Sequence, residues 1–253
     1  MANPRLQEVM TALVKSVAQV LHDHRVTEEE FYPAVGFLAD LAQQGELGLL
    51  TDALGLTRVV DDNTHQAEQQ GGTASNVLGP YYREGAPFID NGESITPDRE
   101  PGEALVVSGR VTGIDGTPVS GAVVDVWQCN VSGEYEHQVS GKADYYLRRR
   151  LHSDADGRYS FRTIKPVPYE IPKSGPVGSL LAQLDWHAFR PAHLHFKVSR
   201  EGWKTLVTQM YFQDDEWLHD DRVNAAKDDL AVPVIKGDGQ LETSFDIRLI
   251  THR

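Results

Sequence analysis

The sequence predicts a mainly β protein with an α-helical N-terminal part, the β portion folding as an antiparallel β-sandwich. Three observations carry that reading. Apolar residues recur every three or four positions over the first seventy residues. From about Gly102 they alternate with polar residues instead. The alternating runs are short and separated by Gly-, Pro- and Asp-rich turns, as in stacked antiparallel sheets.

Asn3 before Pro4 is a helix cap followed by a residue suited to the first turn. Leu6, Val9, Met10, Leu13, Val14, Val17, Val20 and Leu21 then mark the first helix. These residues cover more than one narrow face, so beyond packing on neighbours part of that surface is expected to be a dimer seam. Thr27 with Glu30 spells a capping box, and Phe31, Val35, Leu38 and Leu41 carry a second helix to Gly45, with Pro33 placed to bend it. Shorter helices are expected over Leu47–Leu54 and Leu56–Gln69, ended by Gly71-Gly72-Thr73. Residues 1–75 thus form a helical segment, 76–101 an ordered connecting arm and 102–253 the β domain.

In that domain Val107, Gly109 and Val111 lead into the turn Asp115-Gly116-Thr117-Pro118, and a second strand covers Ala122–Gln128. Asp154-Ala155-Asp156-Gly157 turns into Tyr159-Ser160-Phe161. Further strands fit Ala192–Val198, Leu206–Phe212 and a single run Leu241–Leu249, in which Leu241, Thr243, Phe245, Ile247 and Leu249 alternate.

Composition narrows the function. The 253 residues include 24 basic and 37 acidic side chains, a formal charge of −13, which disfavours nucleic acid and anionic lipid surfaces as partners. Cys129 is the sole cysteine, so an intrachain disulfide and a multi-cysteine metal cluster are excluded. The N-terminus lacks the apolar core of a signal peptide, and a cytoplasmic location is expected.

Arg190-Pro191-Ala192-His193-Leu194-His195 is the sharpest local feature. On a strand, residues two apart share a face, so His193 and His195 offer two imidazoles to one metal ion. Taken alone, such a pair is as readily a packed one. Tyr135 follows Gly133-Glu134 beyond the strand ending at Trp127, and Tyr169 sits among prolines in Pro166-Val167-Pro168-Tyr169-Glu170-Ile171-Pro172, which stiffen its backbone. Either tyrosine singly reads as a packed aromatic with a bonded hydroxyl.

Together these segments resemble a known family. Val124-Asp125-Val126-Trp127, Asn130, Gly133-Glu134-Tyr135, the Tyr169 segment and Arg190 to His195 occur in the order and spacing of the intradiol ring-cleavage dioxygenases. Leu78-Gly79-Pro80-Tyr81-Tyr82 upstream and Thr208-Gln209-Met210-Tyr211-Phe212 downstream match as well. Within the family, the Pro-Val-Pro-Tyr-Glu-Ile-Pro-Lys-Ser-Gly-Pro stretch looks most like chlorocatechol 1,2-dioxygenases.

The resemblance implies one Fe(III) per chain held by Tyr135, Tyr169, His193 and His195. Two phenolates and a solvent hydroxide would neutralise its three charges, and hard oxygen donors favour ferric iron. It implies cleavage of a catechol or chlorocatechol with O2, between the hydroxyl-bearing carbons, to a cis,cis-muconate. Tyr169 would leave the metal and accept a catechol proton, Arg190 would stabilise developing negative charge, and Gln209 would support them through hydrogen bonds. Family positions place Leu49, Asp52 and Ala53 from the helices around the substrate. The arm would add Val77, Leu78, Gly79, Pro80 and Tyr81, and the β domain Ile171, Pro172 and Val223. Many catechol-preferring members have an acidic residue where this chain has Leu78, which leans toward substituted rings, whereas Asp52 could contact the third hydroxyl of hydroxyquinol. A homodimer through the N-terminal helices, with phospholipid at its interface, is implied too. Two other readings stay open at this point. Val111–Ala122 also resembles the opening hairpin of transthyretin-like binding modules, which need no iron, and a zinc hydrolase would more naturally bring a carboxylate or third histidine.

Overall fold

The computed structural model describes residues 2–65, 71–97, 100–237 and 239–252. The chain divides into two compact units, Met1–Leu47 and Gly48–Arg253.

The first unit is helical. α1 (Pro4–Asp23) begins with the Asn3 side chain accepting from the Leu6 N–H at 3.1 Å and Pro4 in the first turn. α2 (Glu28–Gln44) starts where the Glu30 carboxylate accepts from the Thr27 N–H at 2.9 Å and ends at Gly45, whose φ of 72° is left-handed. It continues through Pro33. None of α1's residues is buried; Leu6, Val9, Leu13, Val17 and Val20 all stand exposed.

In the second unit α3 (Leu47–Ala53) and α4 (Leu56–His65) follow the predicted positions. The expected continuation of α4 over residues 66–69 lies outside the described residues. Among the described residues the β portion forms two five-stranded sheets. The first contains β1 (Ala104–Gly113), β4 (Arg158–Ile164), β10 (Ile235–Lys236), β11 (Leu241–Ser244) and β12 (Ile247–Leu249). The second runs in the order β3 (Arg148–His152), β2 (Val123–Trp127), β7 (His193–Ser199), β8 (Leu206–Phe212), β9 (Ala231–Val232). A short ribbon pairs β5 (Tyr169–Glu170) with β6 (Phe189–Arg190), and α5 (Pro176–Gln183) lies between them in the chain.

The sheets bury their facing sides in one core that joins Leu105, Val107 and Phe161 from the first sheet to Val124, Val126, Leu194, Phe196 and Met210 from the second. Phe196 meets Phe245 with ring centroids 5.2 Å apart. In β7 alternation sends Leu194, Phe196 and Val198 into this core and His193 and His195 to the opposite face. That face is buried as well. Arm backbone crosses near it, with the Asn76 N–H donating to Val207 O at 2.9 Å and Thr208 Oγ1 to Ala74 O at 2.8 Å.

Two expectations need correction. The sandwich is not purely antiparallel: β1 runs parallel to β11 and β12, and β8 parallel to β9. Alternation reports which face a residue takes, not the direction of its neighbour, so the sequence pattern carried no signal for this. The run Leu241–Leu249 is also two strands, broken at Phe245-Asp246. There the Phe245 N–H donates to Ser108 O at 2.8 Å and the Asp246 carboxylate accepts from the Arg110 N–H at 2.9 Å. Opposite the break sits Gly109, where any side chain would collide with the Phe245 carbonyl. Gly109→Ala is therefore expected to lower the unfolding free energy by about 2–4 kcal/mol, measured by urea denaturation, because backbone rather than a flexible side chain has to move.

Candidate active site

Register assembles the site. Arg148, Trp127, His195 and Gln209 are successive neighbours across β3, β2, β7 and β8, and His193 pairs with Tyr211 one row away. Tyr169 arrives on β5, which pairs with Arg190 of β6. Tyr135 follows the turn after β2, where the Asn130 side chain accepts from the Ser132 and Glu134 N–H groups. At Gly133, with φ of 76°, a Cβ would run into the Tyr169 side chain, so a glycine lets the two tyrosine segments meet.

All four predicted donors converge. Tyr135 Oη lies 3.4 Å from Tyr169 Oη, 3.3 Å from His193 Nε2 and 3.1 Å from His195 Nε2, and the two Nε2 atoms are 3.2 Å apart. Atoms bound to one ion at about 2 Å each are spaced this way. His193 Nδ1 donates to Pro191 O at 2.7 Å, which leaves the Nε2 lone pair facing the cluster. Neutral imidazoles and ionisable phenols are a hard, partly anionic donor set, so the residues fit a ferric ion.

Burial sets the electrostatics. It pushes the His193 pKa down to about 3, the Arg190 charge adding to the effect, and holds His195 well below its usual range. It drives Tyr135 well above 10, with Tyr169 adding to the rise, and raises Tyr169, which Arg190 partly offsets. Without a cation the cluster is neutral. A bound trivalent ion reverses the balance for the phenols.

Arg190 is buried beside the donors. Its Nη1 lies 3.2 Å from His193 Nε2 and 3.5 Å from Tyr169 Oη, and Nη2 donates to Gln209 Oε1 at 3.0 Å. Gln209 in turn donates to Val77 O at 2.7 Å. The guanidinium is clamped by Asp221, with Nε donating to Oδ1 at 3.1 Å and Nη2 to Oδ2 at 3.3 Å. Burial alone would raise the Asp221 pKa, but the Arg190 charge and hydrogen bonds more than reverse it. The same carboxylate accepts from the N–H groups of Val223, Ala225 and Ala226.

Sequence reading missed Asp221, which sits in an acidic stretch that looks like solvated surface. It gave no role to Tyr211, whose hydroxyl donates to Gln209 Oε1 at 2.6 Å, or to Asn76, which donates to that hydroxyl at 3.3 Å. Besides its place in the Thr208–Phe212 match, its position two residues after Gln209 on one strand was the signal for Tyr211.

The predicted pocket residues fall in several places. Gly79 packs on His195, since a Cβ there would sit 3.4 Å from Cε1. The Tyr81 ring lies against Tyr135 at 4.6 Å, burial lifts its phenol to about 12, and the charges it feels include Asp52 as well as Tyr169 and Arg190. Ala53, Ile171 and Val223 are buried, and Leu49, Asp52 and Pro172 half-buried. The Ile171 N–H donates to Ala188 O near β6. Val77 and Leu78 line a cavity of about 410 Å³ with α4 residues, and none of the four donors borders it. Pro80 and Tyr81 border another of about 440 Å³ with His137 and Arg148.

A pH dependence follows for the metal-free protein. His193 is held near 3 in the fold and titrates near 6.5 when unfolded, so between these values the unfolded chain binds the extra proton. Stability should therefore be fully present above pH 6.5 and fall as the pH drops toward 3, and His193→Asn should flatten that slope in denaturation curves.

Comparison with known proteins gives concordant matches. A family model described as "Dioxygenase" matches residues 77–251, and one described as "Catechol dioxygenase N terminus" matches residues 3–72. The chain is 38% identical to catechol 1,2-dioxygenase 2 of Acinetobacter lwoffii over 238 residues, covering 92% of this chain and 86% of the relative. It is 40% identical to hydroxyquinol 1,2-dioxygenase of Rhizobium sp. (strain MTP-10005) over 234 residues, covering 90% and 79%. Among solved structures, 3-chlorocatechol 1,2-dioxygenase from Rhodococcus opacus 1CP superposes with a TM-score of 0.90 at 33% identity, covering 99% of this chain and all of the other.

Proposed function

The chain belongs to the intradiol ring-cleavage dioxygenase family, and on that footing we propose that it opens chlorocatechols with O2, using one Fe(III) per chain. The observation that carries this reading is the meeting of Tyr135, Tyr169, His193 and His195 at separations of 3.1–3.4 Å beside a buried guanidinium. Tyr135, Tyr169, His193 and His195 would hold the iron, whose chemistry when bound is to make a chelated catechol reactive toward dioxygen. No organic cofactor is required.

The protein groups divide the remaining work. Tyr169 Oη takes the proton from one catechol hydroxyl; it is the more exposed of the two phenols, 8% against 1% for Tyr135. Arg190 Nη1 faces the same space and stabilises negative charge as it develops on the ring. Asp221 and Gln209 keep that guanidinium in register. The buried aromatic wall of Trp127, Tyr135 and Tyr169, with Tyr81 against it, excludes water.

Substituted rings are favoured by Leu78 where an acidic side chain would suit plain catechol, and by the small side chains of Ala53 and Val223. Hydroxyquinol is the second reading, in which half-buried Asp52 would contact its third hydroxyl. Pairing of two copies through the N-terminal helices, with a phospholipid at the seam, is supported by the exposed apolar stripe of α1. No helix among the described residues is long and apolar enough to cross a membrane.

Two measurements test the assignment. Purified protein should hold about one iron per chain with tyrosinate colour, and kcat/KM should be highest for 3- or 4-chlorocatechol among those two, catechol and hydroxyquinol. Colourless, metal-free, inactive protein would remove the enzyme reading, and a lead for hydroxyquinol would move the substrate to the Asp52 alternative. Arg190→Lys, which keeps the charge but loses the fork, should retain iron and lower kcat by on the order of 100-fold.

A further inference from the structure

The two imidazoles are held in unlike ways. His193 has its outward nitrogen tied to Pro191 O at 2.7 Å. His195 Nδ1 is buried with no hydrogen-bond partner among the described residues, and so is Trp127 Nε1. A metal-binding histidine ordinarily fixes its ring through that second nitrogen. Here the ring lies flat on an indole instead: the His195 and Trp127 planes are 7° apart with centroids at 4.7 Å. Gly79, left-handed at φ 74°, lies beside the imidazole, and the space a Cβ would take there is in van der Waals contact with Cε1.

The indole is itself backed. Arg148 is the next residue across the sheet from Trp127, and its guanidinium carbon lies 5.4 Å from the indole centroid. This arginine is almost fully buried; Nη2 donates to Tyr81 O at 2.6 Å and Nε to Glu136 Oε2 at 3.5 Å, while Nη1 has no hydrogen-bond partner among the described residues. A buried cation facing an aromatic ring gains from the π system what it lacks in hydrogen bonds. The cross-strand order Arg148, Trp127, His195 therefore forms a layered stack ending at a donor atom of the cluster.

We propose that Trp127, braced by Arg148, is the positioning residue for His195, replacing by face-to-face stacking the hydrogen bond that His193 donates to Pro191 O. The assignment rests on the iron reading above. It makes the two histidines inequivalent. His193 is anchored along its ring plane and polarised by a carbonyl, whereas His195 is anchored across its faces and left without that polarisation.

The first test uses the parent protein loaded with gallium(III), a diamagnetic stand-in for Fe(III), with 15N-labelled histidine. One metal-bound imidazole should show its Nδ1 proton at the low field of a strong hydrogen bond, and the other should lie upfield, shielded by the indole ring. Two low-field Nδ1 protons would overturn the proposal. The second test compares iron-loaded parent, Trp127→Phe and Trp127→Leu. Loss of the flat face in Trp127→Leu should speed iron release to a chelator by roughly tenfold or more and shift the tyrosinate band. Trp127→Phe, which keeps a ring, should stay near the parent. Equal release from all three, or equal damage in both variants, would refute stacking as the anchor, and the gallium spectrum decides should Trp127→Leu fail to fold. If the parent takes up no iron, the functional reading falls and this assignment with it; if the parent binds iron and cleaves catechols while release is insensitive to Trp127, only the stacking assignment is lost.

Discussion

Four donor atoms lie within 3.1–3.4 Å of a neighbour in a place sealed from water, and that crowding is the constraint on which the second unit depends. Oxygen and nitrogen lone pairs packed so tightly repel one another and forgo hydration. In the metal-free chain the arrangement persists because all four groups are neutral, as the directions of their pKa shifts require. Among the described residues Arg190 is the full charge in hydrogen-bond contact with the cluster, and Asp221 neutralises it within the same buried volume. The result is a buried site whose electrostatics are nearly balanced without a cation.

The sandwich makes this arrangement affordable by giving its second sheet two dry faces. One face belongs to the core of Val124, Val126, Leu194 and Phe196, and the other carries Trp127, His193, His195 and Gln209. Neighbouring strands then set lateral spacing, so side chains from four strands sit in a row without any loop having to position them. Loops contribute Tyr135, Asp221 and the arm. Each is stiffened locally, Tyr135 by the Asn130 turn, Asp221 by the N–H groups that it accepts and the arm by backbone bonding to β8.

How much of this was legible in the sequence follows from the kind of signal each part leaves. The change of period from helix to strand is local, so the helices and most strands could be read directly, down to the Asn3 cap. His193 and His195 share a face by parity alone. Tyr135 and Tyr169 could be tied to them only through family resemblance, because nothing local predicts that a glycine at position 133 lets two distant tyrosine segments touch. Parallel pairing of β1 with β11 and β12 left no trace, since strand direction is a property of the chain path. Asp221 was hidden for a different reason. Its neighbours are charged and its stretch looks like surface, and only the three-dimensional fold turns it inward onto Arg190.

The loop after Asp221 is held by its backbone. The N–H groups of Val223, Ala225 and Ala226 all point to one carboxylate, so hydrogen bonds that are independent of the side chain at 223 hold the path of the chain around it. Successive replacements there can enlarge or narrow the neighbouring space while the guanidinium on the other side of the same carboxylate keeps its place. A change of side chain at 223 is thus separated from the Arg190–Asp221 pair by backbone hydrogen bonds that do not depend on its identity.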